Sequence, residues 1–263
     1  MERSKPNTTH WAIGELGKKG YISSVLTQNV DSLHPIAHPH IPVDELHGYL
    51  RSVICVSCHQ TLPRSQYQET LASLNPVWAE FLQQMSNAGA LDTDDADEQR
   101  KRGLMINPDG DVAIPNAHYS EFRYPACPRC LDRPPLLPDD TRARVTVDRN
   151  GAWDPESNAG ILKPAVIMFG EPVNEAVRRA AEEAIDEAGK LLVVGSSLAT
   201  FSAWRLVERA KLRGMSIGIL NVGGVRNEAS LFEGDYETQS AMTRVRCSER
   251  AELILPEVVA KLS

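Results

Sequence analysis

The sequence predicts an α/β fold: a parallel sheet covered by helices, carrying a smaller metal-braced domain with insertions. Three observations point there. From Lys163 onward, short apolar runs of Val, Ile and Leu alternate with amphipathic segments, the pattern of strands buried on both faces. An earlier apolar run, Ile22 to Leu26, delivers Gln28, Asn29 and Asp31 to a strand end. Two CxxC pairs, Cys55/Cys58 and Cys127/Cys130, lie between these halves. The expected boundaries are 1–49 with 161–263 for the sheet domain and 50–160 for the cysteine-bearing one. With 263 residues and 42% hydrophobic content the chain can bury a full core.

Asn7 or Thr8 can cap a helix running to about Lys18, which Gly20 stops. Ile22–Gln28 reads as the next strand. Open α/β sheets bind ligands at the carboxyl edge, where amides and carboxylates suit ribose hydroxyls or an amide-bearing ligand. In the following loop, Pro35, Pro39 and Pro42 keep His34, His38 and His40 off a shared helical face. Those three read as exposed polar loop residues. His47 sits between Leu46 and Gly48; an imidazole titrates near neutrality and, held at such a site, is a natural general base for a hydroxyl. Taken singly, Gln28 and Asn29 equally suit a turn cap, and His47 a helix end.

The cysteines are more specific. A two-residue gap lets both thiolates of a knuckle reach one tetrahedral ion, and two knuckles fill all four positions. A full sulfur shell leaves no place for water, so a zinc ion there holds a small ribbon together and takes no part in chemistry. A redox CxxC pair would need only one such pair; four free thiols are the other alternative. His59, next to Cys58, would be a fifth ligand and reads as a surface residue.

Asn75-Pro76 starts a helical run, Val77–Met85, whose Trp78, Phe81 and Leu82 fall at packing positions. Acidic Asp92–Glu98 beside Arg100-Lys101-Arg102 reads as a solvated loop, and Pro138–Gly160, rich in Asp, Arg, Pro and Gly, as a surface insertion. Then come strand, helix, strand, helix, strand: Ala165–Met168, Glu175–Gly189, Leu191–Gly195, Phe201–Arg213 and Ile217–Asn221. This is a nucleotide-binding half. Gly195-Ser196-Ser197 ends one strand with small residues that let a ligand approach backbone and helix amides, although the serines alone equally suit helix caps. Asn221, Val222 and Gly223 end the next strand. Trp204 and Leu206 read as core, and Ala251–Leu262 as a terminal helix touched by Pro256.

A net charge of −7 gives no broad cationic field for nucleic acid or anionic membrane. No apolar run approaches a membrane span, and Met1–Gly20 has neither a signal-peptide core nor the repeated arginines of a transit peptide. Five cysteines, four of them in pairs, suit a reducing compartment with a metal.

TQNVDSLH, ELHG and the paired CxxC motifs together resemble the sirtuins, the NAD-dependent protein deacylases. LNPVW at 74–78, NPDGDV at 107–112, KPAVIMFGEPV at 163–173, LLVVGSSL at 191–198 and ILNVGG at 219–224 are most similar to the mitochondrial sirtuin-4 type, class II. The likeness runs from Pro6 to Pro256. It implies a Rossmann-like sheet, NAD and one structural zinc ion on Cys55, Cys58, Cys127 and Cys130. It further implies cofactor contacts from Gln28, Asn29, Val30, Asp31, Gly195, Ser196, Ser197, Asn221, Val222, Gly223 and Cys247, the last through backbone. His47, Asn29 and Asp31 take the catalytic places. Phe169-Gly170-Glu171 matches the segment that pairs with an extended acyl-lysine peptide, a mode that reads main chain. The implied reaction is attack of the acyl oxygen on the ribose carbon as nicotinamide leaves. His47 then deprotonates a ribose hydroxyl, and the acyl group passes to ADP-ribose.

Two departures stand out. The family reads Ala-Gly where this chain has Ala37-His38, so a changed loop backbone is expected. Sirtuins also carry a central first strand with a GAG-type phosphate loop and an arginine segment ahead of the helix that begins here near Pro6, and no GxG occurs in these 263 residues. A fragment of a longer protein, a noncatalytic form, or completion by another chain would each account for this, the first being the expectation. The resemblance therefore leaves three functions in view: deacylation or lipoamide removal, ADP-ribosyl transfer, and zinc-stabilised binding of NAD or acyl-peptide without turnover. It also implies a monomer in the mitochondrial matrix.

Overall fold

The computed structural model describes residues 4–87, 105–106, 112–113, 122–232 and 243–262. They form two compact units, Met1–Leu50 with Val166–Ser263, and Arg51–Ala165. The return crossing falls later than residue 161 because strand β7, Leu162–Val166, belongs to the sheet of the second unit.

In the first unit, helix α1 spans Thr8–Lys18. The Asn7 side chain accepts from the His10 N–H at 3.2 Å, and the His10 ring accepts from the Asn7 N–H at 3.3 Å, so each satisfies an amide the helix leaves open. Ala12, Ile13 and Leu16 pack with Leu255 of helix α9, Ala251–Lys261. Strand β1 is only Val25–Thr27, shorter than Ile22–Gln28, and pairs in parallel with β2, Val43–Glu45.

Between them the histidine segment departs from the sequence expectation. Leu33–Ala37 is a short helix, α2. Pro35 lies in its first turn, where a missing N–H costs no bond. His34 and His38 therefore stand one turn apart, Nδ1 to Nε2 at 3.0 Å, and the His10 ring lies 4.6 Å from that of His34. His38 has no accessible surface; of the three expected at the surface, only His40 is exposed. His38 closes the helix at φ −143°, a backbone open to any residue, so the missing glycine forces no left-handed turn. Room comes from α1, where a Cβ on Gly14 would sit 3.2 Å from that of His38.

Burial holds His10, His34 and His38 below the ordinary imidazole range, His34 at about 4. The unfolded chain therefore binds protons that the folded state refuses. That stability is fully present above about pH 6.5 and is lost as the pH falls toward the folded value. The urea midpoint is expected to be lower at pH 5 than at pH 7, with a smaller drop in His34→Gln; equal drops in the two proteins would contradict this.

The remaining strands of this unit are β8 (Lys190–Val194), β9 (Ser216–Leu220) and β10 (Arg244–Cys247), all parallel in the order β10-β9-β8. Helices α6, Glu175–Glu187, and α7, Phe201–Leu212, cover them; Ala181, Ile185, Trp204, Leu206 and Val207 pack with Ile217 and Ile219. Helix α8, Glu228–Phe232, adds the buried Leu231. The parallel sheet is thus present as two pieces, β1-β2 and β10-β9-β8. A cavity of about 800 Å³ touches both β1 and β8.

In the second unit, β3 (Gly48–Cys55) lies between β7 and β4 (Thr61–Pro63), antiparallel to β4. Helices α3, Arg64–Leu74, and α4, Pro76–Asn87, follow, then the two-residue strands β5, Met105–Ile106, and β6, Val112–Ala113, and the short α5, Pro128–Asp132. The Asn75 side chain donates to the Arg123 carbonyl at 2.6 Å and accepts from its N–H at 2.7 Å. Trp78 meets Phe81 and Phe122 edge-on, whereas Leu82 is exposed.

Pro138–Gly160 is largely exposed, as expected of a surface insertion, yet a few of its residues anchor it to the unit. Trp153 stacks on Tyr124 at 5.5 Å and donates to the Ala159 carbonyl, and Ala143, Ala152 and Ala159 are buried. Small residues at irregular spacing do the packing, which periodicity does not register. The stretch 92–102 and most of NPDGDV, 107–111, lie outside the described residues. Among the described residues no helix is long and apolar enough to cross a membrane.

Candidate functional site

The carboxyl ends of four strands share one edge of the first unit. Gln28, just past β1, is fixed from both sides: its Nε2 donates to Ser196 Oγ at 2.8 Å, and its Oε1 accepts from Thr200 Oγ1 at 2.8 Å. Ser196 Oγ also accepts from the Leu198 N–H at 3.1 Å, capping the turn after β8. Asn29 is exposed; its N–H donates to Thr27 Oγ1, and the residue lines both the 800 Å³ cavity and a second one of about 240 Å³. Gly195, at φ +59°, turns the chain in the left-handed region and leaves no Cβ on the ledge. Its N–H reaches the Leu220 carbonyl, and the Asn221 N–H reaches that of Cys247, so β8, β9 and β10 end level.

Ser197, Val222 and Gly223 are exposed beside this ledge. Asn221 folds back on its own loop, Nδ2 donating to the Gly223 carbonyl at 2.8 Å. The thiol of Cys247 packs with the apolar cluster around Leu220 and Leu255. Asp31 closes a turn, Oδ1 accepting from the Leu33 N–H at 3.0 Å beside Ser32 at φ +61°, and the Val30 carbonyl accepts from Leu50 N–H. His47 is half-buried, its Nε2 2.8 Å from Ser202 Oγ. It lines neither cavity, but Ser202 is two residues from Thr200, so one helix start holds both the Gln28 amide and the imidazole. Ahead of Phe169-Gly170-Glu171 the strand's bounds differ from the expected Ala165–Met168: β7 stops at Val166, and Met168 and Glu171 close a turn that leaves Phe169 fully exposed.

Three partners escaped the sequence reading. Thr200 and Ser202 are hydroxyls at a helix start, where capping is the ordinary role. Arg246 is the third. It pairs with Glu228 at 2.7 Å and donates to the carbonyls of Asn221, Gly223 and Cys247, pinning the loop after β9. The sequence TRVRCSER carried only a weak sign of it, a charged residue inside a strand.

In the second unit the four cysteines converge, every Sγ within 4.8 Å of the others. Cys55 and Cys130 are 3.6 Å apart, Cys58 and Cys127 3.7 Å. A tetrahedron of Zn–S bonds about 2.3 Å long has edges of about 3.8 Å, so the donor set fits zinc. Burial pushes the Cys127 and Cys130 thiols up, and a cation is what holds such thiols as thiolates. His59 is exposed and remains outside the set.

Gly160, at φ +86°, supplies its carbonyl to the Cys127 N–H and its own N–H to Ser57 Oγ, joining the two knuckles. A Cβ there would lie 2.7 Å from Val145 and 3.4 Å from the Cys130 Cβ. Gly160→Val is expected to weaken zinc retention in a chelator competition by about tenfold or more, as losses in a metal site's supporting shell do; retention equal to the parent would remove Gly160 from that role.

The comparisons agree with this geometry. The Sir2 family model matches residues 1–202. An NAD-dependent protein deacylase SIR4 from Batrachochytrium dendrobatidis is 36% identical over 235 residues, which are 87% of this chain and 63% of that protein. The deacylase SRT2 of Arabidopsis thaliana is 32% identical over 224 residues, 85% and 50% of the two chains. A solved Sir2 enzyme superposes with a TM-score of 0.57 at 23% identity, covering 100% of this chain and 69% of its own. The chain thus spans under two thirds of the length of these two curated relatives. With the family model covering most of the sequence and the sheet edge and cysteine cluster in place, the chain belongs to the Sir2 family, the sirtuins.

Proposed function

We propose that the chain carries NAD-dependent removal of acyl groups from protein lysines. The observation that supports this most directly is the Gln28 amide clamped between Ser196 and Thr200 at the sheet's carboxyl edge, with the Asn29 amide open beside it. The relatives are named NAD-dependent deacylases and deacetylases, and solved Sir2 structures are described with a p53 peptide and NAD, an acetylated peptide and a propionylated peptide. The donor set here suits NAD: an unengaged side-chain amide, a ledge without a side chain at Gly195, and an exposed hydroxyl at Ser197.

When bound, NAD supplies an electrophilic ribose carbon and nicotinamide as leaving group. The chain's own part is to position and to move a proton. Gln28 fixes the spacing between the ends of β1 and β8, Asn29 offers donor and acceptor, and Asp31 shapes the loop through Leu33. His47 takes up the ribose-hydroxyl proton at Nε2, exchanging Ser202 for the sugar. Incubation with NAD and an acetyl-lysine peptide should release nicotinamide and free lysine together.

The cavity between β1 and β8 favours a second reading, a zinc-braced protein that holds NAD or acyl-peptide without turnover. Calorimetric NAD binding with no nicotinamide released would select it, and transfer of label from NAD onto protein would select ADP-ribosyl transfer instead. We further take the protein as a monomer of the mitochondrial matrix with no nucleic-acid or membrane partner. Its net charge of −7 supports the last point, and sedimentation and cell fractionation test the others.

A further inference from the structure

The loop after β9 is held from two sides. Arg246, on β10, places its guanidinium on four fixed acceptors: Nε on Glu228 Oε1, one terminal nitrogen on the Asn221 and Cys247 carbonyls, and the other on the Gly223 carbonyl, each at 2.7 Å. Glu228 is locked in turn. The guanidinium holds its carboxyl below the usual carboxylate range, and its second oxygen accepts from the Val225 N–H at 2.9 Å. On the other side Arg226 ties the loop to the turn after β8, its N–H donating to the Ser197 carbonyl at 2.8 Å and its guanidinium to that of Ala199 at 3.1 Å. Between these fixings Val222, Gly223 and Gly224 are exposed, and among the described residues none of their three N–H groups has a partner. Two of the loop's carbonyls are drawn to Arg246 while its amides stay open. Successive free amides of this kind suit acceptor oxygens such as those of a ribose or a phosphate.

The strand order indicates which part of NAD reaches them. The Gln28–Ser196 bond joins the ends of β1 and β8, where Asn29 lies open for the reacting ribose, and β9 stands one strand further on, between β8 and β10. A dinucleotide with its reacting ribose at the β1 end brings its second nucleoside, the adenosine, over Val222–Gly224. We propose that Arg246 is a positioning residue for NAD: by fixing the Asn221 and Gly223 carbonyls it presets the loop that receives the adenosine end, and so governs affinity for the cofactor and not the rate of the chemical step. The inference rests on the NAD reading above. Without the guanidinium the loop has to be ordered at each binding event, which lowers affinity. The contact is the same in ground and transition states, so kcat is untouched. Lysine is no substitute, because a point charge lacks the planar fork that reaches Glu228 and the carbonyls together.

The experiment compares the parent with Arg246→Gln and Arg246→Lys, and with Arg209→Gln, which breaks an ion pair of 2.6 Å to Asp186 between α7 and α6. In both Arg246 variants the Kd for ADP-ribose by calorimetry and the KM for NAD should rise about tenfold or more, as expected when hydrogen bonds from a charged donor are lost. Over the same series kcat and the KM for an acetyl-lysine peptide should stay within about twofold. Amide exchange at Val225 should quicken in ligand-free Arg246→Gln. Arg209→Gln should keep the parent's ADP-ribose affinity even where its melting temperature falls. Unchanged ADP-ribose affinity in a folded Arg246→Lys protein, an equal loss in Arg209→Gln, a fall in kcat with KM kept, or loss of folding in both Arg246 variants would each reduce Arg246 to a plain structural brace and overturn the proposal. A parent that binds neither NAD nor ADP-ribose would overturn the NAD reading and the inference with it, whereas a parent whose ADP-ribose affinity survives loss of the guanidinium overturns the inference alone.

Discussion

Replacing Cys130 with serine is expected to unfold the small unit and release its metal. Cys55, Cys127 and Cys130 have no accessible surface, and Val53, Leu162, Tyr67 and Val145 pack around the four sulfurs. The apolar core of that unit is therefore built on the cluster itself. Structural zinc contributes about 10–16 kcal/mol to the folding of small metal-bound peptides, against a net stability of about 5–15 kcal/mol for a whole domain. Removing one of four thiolates, or stripping the ion with a chelator, takes away more than the unit holds in reserve. The zinc-to-protein ratio should fall from about one to near zero, and limited proteolysis should cut within 51–165 while the large unit survives. A soluble, zinc-free Cys130→Ser protein with the small unit still protected would end the structural account of the site.

What was legible in the sequence follows from how local its cause is. The Asn7 cap, the alternation from β8 through β9, and the paired cysteines are each written in a few consecutive residues, and each appears in place. Pro35 reads as a breaker in the sequence and stands inside α2 in the structure, because its effect depends on position within a turn, which only the finished helix defines. The buried alanines of 138–160 have no periodicity to detect, since they fill space left by Trp153 and Tyr124. The partners of the site are harder still. Thr200 meets Gln28 across 172 positions of sequence and Ser202 meets His47 across 155, so each hydroxyl carries only a capping signal where it stands. The division of the sheet into two pieces is a tertiary fact as well, visible once β1 and β8 are placed side by side without a ladder between them.

His47→Ala is expected to lower deacylation by about 10²–10⁴, the ordinary worth of a general base, with zinc content and melting temperature unchanged. The side chain is half-buried and touches the rest of the site through one bond, to Ser202 Oγ, so its loss leaves no packed core open. Gln28 keeps its own two partners, Ser196 and Thr200, so the strand ends stay spaced as before, and NAD affinity by calorimetry should be kept. Loss confined to turnover separates a proton acceptor from a binding group, because a group used equally in ground and transition states changes affinity and leaves kcat alone. Ser202→Ala sharpens the distinction. If the hydroxyl only parks the ring between turnovers, its removal frees Nε2 and turnover holds or rises; if it orients the ring for the sugar, turnover falls while the pH profile keeps its shape. Unchanged deacylation in His47→Ala would remove the imidazole from the chemistry, whatever Ser202 does.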